Sequence, residues 1–138
     1  MTDTHSLLVW LIAAVVVLLA AFVGIVVVRS RRMAGEHVFV ASRLSRGNHL
    51  FPAQVSITPT EVVQYVPHWI GRREHTIHMA HVASVDIATN LFFSNVEIET
   101  SGGSDPVHCY GHRKRDALEM KRLINDFQSA YYKGGPRT

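Results

Sequence analysis

The chain is short of the residues that staple small domains together. Its 138 residues include one cysteine, Cys109, so an internal disulfide is impossible and the usage fits a reducing compartment. Charge is missing altogether from Leu7 to Val28, 22 residues made almost wholly of Ala, Val, Leu and Ile. Ahead of that run the only carboxylate side chain is Asp3. Repeats and low-complexity tracts are lacking apart from the short tail Gly134-Gly135-Pro136, which excludes a repeat array. Nor is there a strong charge imbalance. The net charge of +3, from 14 Lys and Arg against 11 Asp and Glu, is too small to argue for nucleic acid, though ordinary for a domain near anionic lipid.

What is there begins with the uncharged run. As a helix it reaches about 33 Å at about 1.5 Å per residue, enough for a hydrocarbon core of about 30 Å. Arg29, Arg31 and Arg32 follow it directly, while Met1 to Ser6 carry only Asp3 and His5. The positive-inside rule then predicts an outside N-terminus and a cytoplasmic C-terminal part. Trp10 falls one turn inside the outer end, a common level for an indole anchor. The rival reading is a cleaved signal peptide, which wants a basic start, a shorter apolar core and small residues at a cleavage site. The uncleaved anchor fits better. Within the run Ala13, Ala20 and Gly24 share a helical stripe, the last two at small-xxx-small spacing, a packing face that arises easily by chance in so Ala-rich a segment. No ionisable side chain interrupts it, so it offers no proton relay and no histidine for haem or chlorophyll, and no cofactor is expected.

The remaining residues, about 110, make room for one compact domain. The organisation expected is a short outer segment 1–6, a span 7–28, a basic linker 29–35, a domain 36–133 and a tail 134–138. From Val38 the pattern has period two. Strands are predicted over Val38-Phe39-Val40-Ala41, Ala53 to Thr58, Glu61 to Val66, His75 to Met79, Ala83 to Ala88, the alternating Val96-Glu97-Ile98-Glu99, and Val107 to Tyr110. Thr58-Pro59-Thr60 and Ser101-Gly102-Gly103-Ser104 supply turns. Arg113 to Tyr132 switches to helical spacing, with Ala117, Met120, Ile124, Phe127 and Tyr131 in one apolar stripe flanked by Leu123 and Ala130. Seven short strands and one amphipathic helix predict a small sandwich or barrel closed by that helix.

The stretch Ile77-His78-Met79-Ala80-His81-Val82-Ala83-Ser84-Val85-Asp86-Ile87 resembles the strand-loop-strand signature of bacterial pleckstrin-homology-like domains. Its continuation through Leu91-Phe92-Phe93, Val96 to Thr100 and Ser101-Gly102-Gly103 resembles it too. The resemblance covers about residues 55–127. It implies a strongly bent seven-stranded sheet capped by a C-terminal helix, in a fold that often accompanies transmembrane helices in bacteria. The implied location is the bacterial inner membrane. Fold alone assigns no function.

Each candidate site has a plain structural reading beside it. His75, His78 and His81 form H-x-x-H-x-x-H, but on a strand His78 points away from the other two and on a helix the three spread around the cylinder; a turn that brings two together finds no Cys or carboxylate to complete a set, so surface histidines are expected and no metal. His108, Cys109 and His112 invite a Cys–His nucleophile, yet Cys109 alternates into the core with Val107 and no third group orients it. Glu97 and Glu99 read as the wet face of a strand. Arg113, Lys114 and Arg115 open a helix, where cations oppose the dipole; they are solvated charges or an anion site. Arg72 and Arg73 form a second basic pair in the loop before the His75 strand. Phosphoinositide recognition by a basic first hairpin is not supported, because Thr58 to Glu61 has no cation and Arg43 and Arg46 lie in a longer connection. Leu91, Phe92 and Phe93 are expected to cap the core, the alternative being a tip that dips into lipid or a partner groove. Trp69-Ile70 is a similar tip, and the two form one sticky surface only if the fold unites them.

The expected function is therefore non-catalytic. The leading reading is an accessory or scaffolding subunit of a larger membrane assembly, respiratory or photosynthetic, with other membrane subunits, membrane lipids or a second copy as partners. The alternative is a tethered lipid- or peptide-binding module that senses or recruits.

Overall fold

The computed structural model describes residues 2–103 and 105–134. Ser104 of the expected turn, and Gly135 and Pro136 of the tail, lie outside the described residues. The chain divides into two compact units, residues 1–31 and 32–138.

The first unit is α1, Thr2–Arg29, which takes in the residues expected as a short outer segment. Ser6 Oγ donates back to the Asp3 carbonyl at 2.9 Å. From Asp3 to Arg29 the helix is long and apolar enough to cross a membrane, and none of that window is buried.

The second unit is built from β1 (Val38–Val40), β2 (Gln54–Ile57), β3 (Glu61–Pro67) and β4 (Arg72–His78), then β5 (Val82–Thr89), β6 (Ser94–Thr100), β7 (Val107–His112) and α2 (Lys114–Gly134). β1 to β4 form one antiparallel sheet in chain order, β5 to β7 another. Alternation explains the faces: Val96 and Ile98 are buried, Glu97 and Glu99 point outward. Inner residues of both sheets share one core with Ala117, Met120, Leu123 and Ile124 of α2. Short turns follow from local chemistry. Thr58 N–H donates to the Glu61 carbonyl at 2.9 Å and the Thr58 hydroxyl accepts from Glu61 N–H at 3.1 Å, with Pro59 between. Gly71, at φ +91°, permits the β3–β4 turn.

Four expectations need correction. Arg72 and Arg73 are not in a loop; they open β4, opposite Pro67 and Val66, because pairing with β3 extends the strand two residues past its turn. The histidine strand ends one residue earlier than expected: β4 stops at His78 and a single 3-10 turn, Met79–His81, follows, since Met79 is buried and its N–H donates to the Thr60 carbonyl at 2.7 Å. Ala130 and Tyr131 are exposed, so the apolar stripe stops contributing to the core at half-buried Phe127; the last turns of α2 overhang β5, tied by Gln128 Nε2 to the Val82 carbonyl at 2.6 Å. Leu91 and Phe92 do not cap the core: they stand out from the β5–β6 turn, which Asn90 N–H closes on the Phe93 carbonyl at 2.8 Å, and only Phe93 is half-buried.

Residues 32–37, expected mostly as linker, also belong to the domain. Met33 N–H donates to the buried Gln54 side chain at 2.7 Å, Gly35 lies against Ser56, and Ile57 N–H donates to the His37 carbonyl at 2.9 Å. This segment covers the outer face of β2, which is why all four β2 residues are buried.

Candidate functional site

The register of the first sheet sets Val40, Gln54, Tyr65 and Glu74 side by side, so the β1–β2 connection and the β3–β4 turn emerge at one end of the domain. In the second sheet Thr89, Ser94 and His112 are neighbours, which sends the β5–β6 turn and the start of α2 out together.

The β1–β2 connection, residues 41–53, brings these pieces together. It is held from beneath by buried polar groups. Asn48 Nδ2 donates to Ser45 Oγ at 2.8 Å and to the Tyr110 carbonyl at 3.3 Å, while its Oδ1 accepts from Ala53 N–H at 3.0 Å. Ser42 N–H donates to the Gly111 carbonyl at 2.8 Å. Gly111 has φ +76°, and a Cβ there would run into Ser45, so glycine is required on both counts. Thus fixed, the connection lines three hollows. Leu44 and Arg43 face Arg32 and Arg113 in one; Arg46 faces Leu91 and Phe92 in another; Leu50 and Gly47 face Trp69 in the third. Arg46 also lines a cleft with Arg73, His75 and His108. Trp69 stands edge-on against Phe51, ring centres 5.2 Å apart.

The β1–β2 connection thus borders a hollow at each apolar tip, Trp69 in one and Leu91 with Phe92 in another, and carries a third exposed apolar side chain, Leu44, that the sequence reading overlooked. Leu44 is 83% exposed, Ile70 96%, Leu91 80% and Phe92 74%, with Trp69 at 55%. Arg43 and Arg46 occupy the β1–β2 connection, the first hairpin of the sheet, with Arg46 in the hollow of Leu91 and Phe92. The available signal was the Ser42-x-x-Ser45-x-x-Asn48 spacing of small polar residues, which favours self-bonded turns.

The other sequence-derived residues are more dispersed. Trp10, Ala13, Ala20 and Gly24 lie exposed along α1, and a side chain added at Gly24 would meet nothing. Arg29 ends that helix, and Arg31 and Arg32 follow. Arg113, Lys114 and Arg115 are exposed around the start of α2, where Asp116 supplies the first-turn acid that the dipole favours. His78 and His81 come within 6.4 Å between ring centres, with His75 in the separate cleft; no group of three or more metal-ligating side chains comes together among the described residues. His108 stacks on Tyr110 and its Nδ1 lies 3.6 Å from Glu97. Burial pushes the Cys109 thiol up to about 12, so it stays protonated and a poor nucleophile. Burial also lowers His112 to about 4, opposed by Asp116.

Comparison with known proteins adds no identity, since no family model and no curated protein matches this chain.

Proposed function

We propose that this protein is a non-catalytic, single-pass membrane subunit whose β domain is of the pleckstrin-homology-like kind, and that it serves as an accessory or scaffolding element in a larger membrane assembly. One observation carries this reading. A continuous apolar helix with no ionisable group between Leu7 and Val28 leads, after Ser30 and Arg31, into a separately cored β unit. Such a helix contributes anchorage and packing surface, not conduction. The β unit has the seven strands and the closing helix that the resemblance implies, its strands divided between two sheets of four and three. The flanking arginines favour an outside N-terminus and a cytoplasmic domain in a bacterial inner membrane, and a respiratory or photosynthetic complex is the class of partner proposed.

The test is the native size of the full-length chain after gentle detergent extraction from its own membranes, with mass spectrometry of co-migrating proteins. A large, defined particle supports the reading, and Gly24→Leu should then loosen the chain from it. A small particle, with no other subunit, overturns it in favour of a tethered module that senses or recruits; the exposed loop end is the feature that reading rests on.

A further inference from the structure

Four strands lie at the edges of the two sheets, and each edge is a place where another chain can add. Three of them are guarded. β4 carries the exposed charges Arg72, Arg73 and Glu74. β5 is overhung by α2, whose Gln128 side chain donates to the Val82 carbonyl at 2.6 Å. On β7 the His108 carbonyl accepts from Gln64 Nε2 at 2.7 Å, the Tyr110 carbonyl from Asn48 Nδ2 at 3.3 Å and the Gly111 carbonyl from Ser42 N–H at 2.8 Å. β1 has no such guard. Ile57 N–H donates to the His37 carbonyl and Ala41 N–H to the Ala53 carbonyl, which ties residues 37, 39 and 41 to β2. By antiparallel alternation the N–H and C=O groups of Val38 and Val40 point the other way. Among the described residues nothing donates to them or accepts from them. This edge faces a hollow of about 610 Å³, within the range of ligand sites. Val38, Phe39 and Val40 give the hollow an apolar wall, while Arg32, Arg43 and Arg113 set three cations against one carboxylate, Asp116. None of the three arginines forms an ion pair among the described residues.

We propose that the edge of β1 takes up an extended acidic segment of another protein as an added strand. Main-chain bonds to Val38 and Val40 set the register of that segment, and its carboxylates meet Arg32, Arg43 and Arg113. From Val38 to Ser42 the edge runs about 16 Å at about 3.3 Å per residue, room for about five residues of the guest. A second copy of this chain suits the edge poorly, because two such edges side by side would bring their arginines together. The hollow is lined wholly by residues between Arg32 and Asp116, so its occupancy does not depend on α1 crossing a membrane. Failure here leaves the native-particle test of the scaffolding reading where it stood.

The probe is a fluorescein-labelled peptide of alternating Glu and Val with blocked ends, titrated by anisotropy into the full-length chain in micelles of an uncharged detergent. It should bind at least tenfold more tightly than the same peptide with Lys in place of Glu. Amide exchange at Val38 and Val40, followed by NMR, should slow at least tenfold when it binds. Val40→Pro removes an outward N–H without touching a bond to β2, and an edge position tolerates proline. That variant should lose at least tenfold in affinity with its circular dichroism unchanged. Arg32→Glu with Arg113→Glu, both on the surface, should lose as much and carries the test by itself if the proline variant loses strand signal. The proposal is overturned by equal binding of the two peptides, by no binding at about 1 mM peptide, or by binding that neither variant weakens. It is also overturned if exchange at Val38 and Val40 is already slow without peptide in micelles holding two chains, which gives the edge to a second copy.

Discussion

His112 and Cys109 are three residues apart on one strand, and burial acts on each in the direction that keeps it neutral. For His112 this has a consequence for acid stability. Above about pH 6.5 the imidazole is neutral whether the chain is folded or not, so it contributes no slope. As pH falls from 6.5 to about 4, the unfolded chain takes up a proton that the folded one refuses, and folding loses up to about 3 kcal/mol. Urea midpoints measured across that range should fall with pH, and His112→Leu should flatten the curve; an unchanged slope would show that the ring is hydrated. Cys109 should resist thiol reagents at pH 8 until denaturant is added, a rate measurable by absorbance. Gly111→Ala should cost about 2 kcal/mol or more, combining a positive φ with collision against Ser45, and thermal unfolding would register it.

Among the elements, α2 divides sharply between its two faces. Met120 and Ile124 are fully buried against both sheets, so Met120→Ala or Ile124→Ala should cost about 2–5 kcal/mol, whereas Leu118→Ala on the exposed face should cost less than about 0.5 kcal/mol. Denaturant titration decides between them. The helix was legible in the sequence because its stripe is local, and so were β3, β5 and β6, whose alternation exceeds the noise of a short window. The long apolar helix was legible for the same reason. What escaped was whatever depends on distant chain. Arg72 and Arg73 become strand only because Val66 and Pro67 lie opposite them. Leu91 and Phe92 look identical in sequence whether they point inward or outward; the tight Asn90–Phe93 turn turns them out. The β1–β2 connection reads as a featureless loop until Tyr110 and Gly111 supply its partners.

At the scale of the molecule, an apolar helix and a β unit with its own core are joined through Ser30 and Arg31. Limited trypsin treatment of detergent-solubilised protein should therefore cut first around Arg29 to Arg32, and the released fragment should keep its strand signal in circular dichroism. Loss of that signal on cutting would mean that the β unit needs the helix to hold its fold. The bond between Met33 and Gln54 sets the inner limit of cutting, since backbone from there on is engaged with β2.

The pinning of the β1–β2 connection also sets an order of events. Asn48 and its partner Tyr110 are 62 residues apart, so the contact closes a large loop late in the chain's synthesis. The β2–β3 hairpin needs nothing beyond its own neighbours and is free to form early. The end bearing Leu44, Arg43 and Arg46 must wait for β7. Asn48→Ala should accordingly speed unfolding while leaving the refolding rate almost unchanged, a φ-value near zero, whereas a high φ-value there would place β7 in the folding nucleus. The β1–β2 connection thus acquires its shape only after β7 is made, at a time when the N-terminal helix has long since left the ribosome.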